Sequence, residues 1–208
     1  MRTFIVIIIL CLSQTIFGQS DTKSYSNNYN EDQFLVSWGL GVPLNNDYLS
    51  KISFRNVRLE YRHYIENNFA VGISLGWNSF DEKTDKQLYE TEDGSNAVYT
   101  DLVRQVYLLP FTANAYYNFN NNGNIRPFMG IGLGAQFSQQ EAFFNAFVID
   151  DKNWGFLVRP EIGVQFQINS EFTILANTSY SYATNSSDFF PIDNLKHFNI
   201  GIGCGWNF

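Results

Sequence analysis

The chain has 208 residues, of which only 16% are charged and 17% are aromatic, with 15 Gly and a net charge of −7. A length of this order allows one or two domains, and the charged fraction lies well under the roughly 25% of an ordinary soluble domain. The longest apolar run, Phe4–Leu12, is too short to cross a bilayer as a helix, which excludes a multi-span helical protein, and 13 Lys+Arg against 20 Asp+Glu excludes a phosphate-backbone binder, so no nucleic-acid partner is expected.

At the N-terminus, Met1-Arg2-Thr3 supplies a short positive segment and Phe4–Leu12 an apolar core of signal-peptide length. Residues 1–18 therefore read as a secretory signal peptide with cleavage expected after Gly18. Lipidation at Cys11 is disfavoured, because Leu10 is not the small residue such a site needs and Cys11 lies inside the apolar core. Residues 19–32 are polar and aperiodic, and read as a flexible tail before a domain over 33–208.

From Gln33 the chain alternates with period two, the pattern of a strand with two unlike faces. In Phe34–Val42, Phe34, Val36, Trp38, Leu40 and Val42 oppose Leu35, Ser37, Gly39 and Gly41. Ser53–Ile65 sets Val57, Leu59 and Tyr61 against Asn56, Arg58, Glu60 and Arg62. Phe69–Asn78 sets Val71, Ile73, Leu75 and Trp77 against Gly72, Ser74 and Gly76. Val103–Phe119 sets Leu109, Phe111 and Tyr117 against Thr112, Asn114 and Tyr116. Pro127–Phe137, Trp154–Ile168, Phe172–Ala183 and the C-terminal stretch through Phe208 repeat the pattern. Each segment is near or above the roughly 9–11 residues that a tilted strand needs to cross a bilayer.

The connections alternate in length. Asn67-Asn68, Asn120–Asn124 and Asn169-Ser170 read as tight turns, while the stretches near 44–51, 80–101, 139–153 and 184–194 read as long loops. The polar face is Gly, Ser and Asn with few charges, which suits a crowded interior better than a solvated exterior. The apolar face is continuous and capped by Trp and Tyr, as lipid contact requires. The expected fold is all-β: an eight-stranded antiparallel up-and-down transmembrane β-barrel, lipid outside and polar filling within.

On these residues the part after residue 32 resembles the small outer-membrane β-barrels of Gram-negative bacteria, the OmpA/OmpX/OmpW-like or "porin family" barrels. Arg126-Pro127-Phe128-Met129-Gly130-Ile131-Gly132-Leu133-Gly134 is similar to that family's mid-barrel glycine strand. Gly201–Phe208 resembles its C-terminal strand, with Cys204 standing where a large apolar residue is usual. The resemblance implies localisation in the cell outer membrane, contact with its lipid and lipopolysaccharide, and recognition of Trp206 and Phe208 by the barrel-assembly machinery. It implies no cofactor and a monomer. The peptidoglycan-binding role of longer members is not carried over.

The inward charges Arg58, Glu60, Arg62, Arg159 and Glu161 form the main candidate constellation. They are read either as a gated polar conduit or as a structural ionic plug, and the plug is favoured because an eight-stranded barrel is just wide enough for side chains to fill. Of the two histidines, His63 falls on the outward face near a short turn. His197 falls inward near the opposite rim, where a hydrogen-bonding role is expected, and neither sits in the His-x-Ser setting of a lipid A deacylase. Catalytic residues and metal ligands are therefore not assigned, and the protein is not expected to be an enzyme. Gly130–Gly134 lacks the spacing of a nucleotide loop.

The stretch 80–101 carries Asp81, Glu82, Asp85, Glu90, Glu92, Asp93 and Asp101 against Lys83 and Lys86. It reads as a solvated acidic loop, or as one that bridges to lipopolysaccharide through divalent cations or meets a cationic partner. Phe143, Phe144, Phe147, Phe189 and Phe190 make two other loops aromatic. These could contact a partner, pack on one another or extend the strands. The functional expectation is a non-enzymatic barrel, structural or a narrow porin-like passage. The alternative is a surface recognition or adhesion module using loops 80–101 and 139–153.

Overall fold

The computed structural model describes residues 32–44, 48–90, 97–119, 123–144, 147–187 and 189–208. The expected signal peptide and nearly all of the expected tail lie outside the described residues, as do Glu92 and Asp93 and the side chain of Glu90.

Eight strands follow in chain order: β1 (Asp32–Pro43), β2 (Ser53–Glu66), β3 (Phe69–Glu90), β4 (Ala97–Asn118), β5 (Ile125–Phe144), β6 (Phe147–Gln167), β7 (Phe172–Ala183) and β8 (Leu195–Asn207). Each pairs antiparallel with the next, and β8 returns to β1, with Val36 opposite Cys204 and Trp38 opposite Ile202, so the sheet closes. This is the up-and-down barrel that the alternation predicts. Closure leaves no sheet edge around the body of the barrel, which is what allows strands to sit in hydrocarbon.

The alternation sorts the two faces as expected. Trp38, Ile73, Leu75, Trp77, Phe111, Ile131, Ile162, Ile200 and Ile202 are exposed on the outside, whereas Ser37, Ser74, Thr112, Asn114, Gln165 and Ser179 are buried within. The outward positions change character at one level. Beyond Trp77 of β3, Tyr107 of β4, Trp154 of β6 and Phe198 of β8, the outward positions include Asp81, Lys152 and Lys196 rather than apolar side chains. An aromatic rim with charges above it marks the edge of the apolar band.

Two stretches differ from the sequence reading. Residues 80–101 and 139–153 are not long loops. β3 runs on to Glu90 and β4 begins at Ala97, while β5 runs to Phe144 and β6 begins at Phe147. Strands β3 to β6 therefore hold 22, 22, 20 and 21 residues, against 12, 14, 12 and 13 for β1, β2, β7 and β8. The extra residues form a four-stranded wall that rises past the barrel, roughly 30 Å along each strand for eight to ten residues. Above the aromatic rim both faces of this wall can be wet, so its residues carry no apolar alternation to betray them.

Candidate functional site

The bore of the barrel is filled in layers. At the end that carries Asp32, Phe208 and the short turns, Leu35, Ala70, Tyr116, Phe128 and Leu175 form an apolar floor, with Tyr64 packed against it. Tyr116 and Phe128 meet edge to face at 5.7 Å. Glycines opposite them make the room: a Cβ on Gly163 would stand 2.6 Å from the Phe128 ring, and one on Gly130 would collide with the ring of Tyr116. The inward glycines thus give space to particular aromatic rings of neighbouring strands.

Above the floor lie the five charges named from the sequence, each under a tenth exposed. Arg58 of β2 reaches across the bore to Glu161 of β6 and donates from Nη1 to Oε2 at 2.6 Å and from Nη2 to Oε1 at 2.8 Å. Its Nε lies 3.4 Å from Glu60 Oε2. Arg62 donates from Nε to Glu60 Oε1, and its Nη2 is 4.0 Å from Glu161 Oε1. The Arg62 guanidinium sits 3.7 Å from the centre of the Tyr116 ring and 4.8 Å from that of Phe128, so the floor holds it as a cation over π faces. Asn177 donates from Nδ2 to Glu161 Oε1 at 2.8 Å.

Arg159 is brought to the same layer but not into the same pairing. Its Nη2 donates to Ser74 Oγ at 2.8 Å, Thr112 Oγ1 at 3.0 Å and Asn114 Oδ1 at 3.2 Å, all of them neutral. Among the described residues no carboxylate stands at ion-pairing distance from it.

The opposite end is covered by an apolar lid of Tyr48, Leu49, Phe80, Val106, Leu108, Leu157, Ala183, Ile192 and Leu195, with Phe190 against it. Its parts come from the walls and from the described residues of two inward-folding connections, 48–52 before β2 and 189–194 before β8. Tyr48 packs on Phe190 with ring centres 4.8 Å apart and donates its hydroxyl to the Glu141 carbonyl at 2.6 Å. Asn185, fully buried, donates to the Gln136 carbonyl at 3.0 Å, to Ser138 Oγ at 2.9 Å and to Asn153 Oδ1 at 2.8 Å. Sequence reading missed Tyr48, Leu49, Asn185 and Ile192. They sit in aperiodic stretches, and nothing local distinguishes an inward-folding loop from an outward one.

The other candidate residues fall as follows. His197 is buried within the lid, edge-on to Phe80 at 5.5 Å, and its Nε2 has no hydrogen-bond partner among the described residues. The expected rim hydrogen bond of His197 is thus replaced by ring packing, because the lid closes over the position that would otherwise face water. His63 is on the outside with Nδ1 3.0 Å from Asp32. Asp81 pairs with Arg55 at 2.8 Å, and Asp101 stands 3.4 Å from Lys83. Glu82 accepts from the Ser50 N–H at 2.6 Å and from the Ser50 hydroxyl at 3.1 Å. Burial works against the Glu82 charge, but the two Ser50 donors and the Arg104 and Lys51 cations together outweigh it and hold the carboxyl below its ordinary range. The Lys83 ammonium likewise holds Asp101 low. The acidic stretch is thus partly neutralised within its own wall. Asp85 stands on β3, Phe143 and Phe144 end β5, and Phe189 is 71% exposed. Trp206 meets Phe172 at 5.8 Å on the outer face. Phe208 donates its N–H to the Asp32 carbonyl at 2.9 Å, with its side chain exposed.

Among solved structures, a major outer membrane protein of Thermus thermophilus aligns over 85% of this chain and 99% of its own at 9% identity, with a TM-score of 0.54. Neisserial surface protein A aligns over 85% of this chain and 96% of its own at 13% identity, with a TM-score of 0.53. The attachment invasion locus protein Ail of Yersinia pestis aligns over 86% and 99% at 18% identity, with a TM-score of 0.48. At these identities the likeness is one of fold. No curated protein matches the chain significantly. The family described as "Outer membrane protein beta-barrel domain" matches residues 46–208, most of the chain and all but the first strand of the barrel, and the chain belongs to that family.

Proposed function

We propose that the protein is a non-enzymatic, non-conducting outer-membrane barrel that anchors the β3–β6 wall at the cell surface. One observation carries this reading: floor, ionic layer and lid follow one another along the bore, each closed by side chains from opposite walls. A solute would have to displace an apolar lid and break a buried two-pronged ion pair, and breaking such a pair costs about 3–5 kcal/mol. The narrow-passage reading is correspondingly disfavoured. Export by the signal peptide over 1–18, assembly through Trp206 and Phe208, and a monomer surrounded by lipid and lipopolysaccharide complete the proposal. Planar-bilayer recording of the purified barrel tests it. Silence at physiological salt supports the anchor, and discrete, reproducible openings would overturn it.

A second reading, surface recognition, is favoured by the wall itself. Its residues beyond the aromatic rim keep Tyr99 at 69% and Val148 at 52% exposure, apolar area that the fold leaves uncovered. Deleting 84–100 and 142–150 while keeping the barrel should abolish any binding of cells or matrix that the intact protein confers.

A further inference from the structure

Between the floor and the lid, three buried guanidiniums, those of Arg58, Arg62 and Arg159, meet only two carboxylates among the described residues, those of Glu60 and Glu161. An arginine cannot shed its proton to relieve the imbalance. Burying an uncompensated charge is expensive, and neutral hydroxyls and amides reduce that cost without cancelling it. Arg159 is the odd cation. It is 4% exposed, it donates only to Ser74, Thr112 and Asn114, and its Nε has no partner among the described residues.

Arg159 also lines a cavity. Together with Arg58, Asn56, Asn78, Asn177 and Asn199 it bounds a space of about 30 Å³ just above the ion pair. That volume holds about two water-sized particles and no oxyanion as large as sulfate.

We propose that this cavity is a binding site for one small monovalent anion of chloride's size, held by Arg159 and Arg58 as the missing counter-charge of the lumen. A single water beside it fills the rest of the space and donates a hydrogen to the anion. The anion makes the five-residue cluster neutral. The site is a structural one: the anion is a component of the plug and not a transported solute, so it stands whether or not the barrel conducts.

The test uses the intact barrel in detergent, unfolded by urea in chloride and in gluconate buffers of equal ionic strength, gluconate being too large for the cavity. With one anion bound per folded molecule, the ratio of unfolded to folded protein should fall up to tenfold for each tenfold rise in chloride. No such fall is expected in gluconate. Arg159→Gln, which removes the uncompensated charge and keeps a hydrogen-bonding amide, should lose the chloride dependence. Equal behaviour in chloride and gluconate, or an undiminished chloride dependence in Arg159→Gln, would overturn the site. Should the variant not fold, crystals of the unaltered protein soaked in bromide decide the matter. An anomalous peak beside Arg159 supports the anion, and density there without anomalous signal means water alone and removes it.

Discussion

Arg58 and Glu161 stand on β2 and β6, 103 residues apart in sequence, and join through two hydrogen bonds of 2.6 and 2.8 Å. In a closed sheet of eight strands, β2 and β6 are four strands apart whichever way the wall is followed. The pair therefore ties diametrically opposite walls. Only a guanidinium offers the planar fork that meets both carboxylate oxygens at once, and Asn177 donates a further hydrogen bond to Glu161 Oε1, with Arg62 Nη2 4.0 Å away. Such a tie makes the bore narrow by construction and links strands that are not paired in the sheet.

The tie predicts a coupling that can be measured. Glu161→Gln leaves Arg58 buried with only the distant Glu60 oxygen, and Arg58→Met leaves Glu161 facing Asn177 and a remote Arg62. Each should destabilise the barrel by about 3–5 kcal/mol. The double variant should cost clearly less than the two losses added, because contacting partners do not behave independently. Urea unfolding from lipid vesicles gives all three values, and strict additivity would mean that the pair contributes nothing as a pair.

The lid predicts a local effect. Asn185 is the clasp of the loop 184–194, reaching the Gln136 carbonyl, Ser138 and Asn153 on β5 and β6. In Asn185→Ala these buried groups lose their partner, a cost of about 1–3 kcal/mol. Amide exchange over 184–194 should accelerate well before exchange in the strands of the barrel. If the protection of that loop is unchanged, Ile192 and Phe190 hold the lid without the clasp.

A second prediction for the lid concerns pH. The Glu82 carboxylate holds the segment 48–52 through the Ser50 N–H and hydroxyl, and those donors, with the Arg104 and Lys51 cations, keep its pKa below the ordinary 4.5. A carboxyl depressed in the folded state stabilises it above the unfolded pKa and ceases to do so as the pH falls through the folded value. The clasp should thus be intact at neutral pH and open in acid, below about pH 4.5. Exchange at the Ser50 amide, followed from about pH 7 down to about pH 3, should rise over that window in the native protein. Glu82→Gln should flatten the profile; a native profile without the rise would show that Ser50 is held by something other than the charge.

The sequence reveals some parts of this molecule far better than others, for a physical reason. Trp38, Ile73 and Ile202 are legible as outward residues because lipid on one side and a crowded lumen on the other force a strict period of two. Arg58, Glu60, Arg62, Arg159 and Glu161 are legible as a group because they break an otherwise small and neutral inward face. Their pairing is not, because it depends on strand register: the opposition of Leu59 to Leu75 and of Gly132 to Arg159 cannot be read from either strand alone. The upper halves of β3 to β6 escape for the opposite reason. Asp81, Lys83, Asp85 and Gln139 are as soluble in a strand as in a loop, so solvent on both faces erases the alternation. Tyr48 and Ile192 reach the lid from loops whose direction is set only by what they land on.

The last prediction concerns which end faces the medium. Both ends of the barrel chain and the turns at Asn67-Asn68, 119–124 and 168–171 share one rim, while the wall and both inward loops share the other. Short turns face the periplasm and longer segments the exterior in barrels of this kind, which puts Asp85 and Ser187 outside and Asn68 and Asn169 inside. Single cysteines at Asp85 or Ser187 should react with a charged, membrane-impermeant maleimide on intact cells. Cysteines at Asn68 or Asn169 should react only after permeabilisation. The native Cys204 stands on the outward parity of β8 between Ile202 and Trp206, within the apolar band, where a charged reagent has little access. Labelling of the Asn169 site on intact cells, with Asp85 silent, would invert the orientation and with it the assignment of the wall to the cell surface.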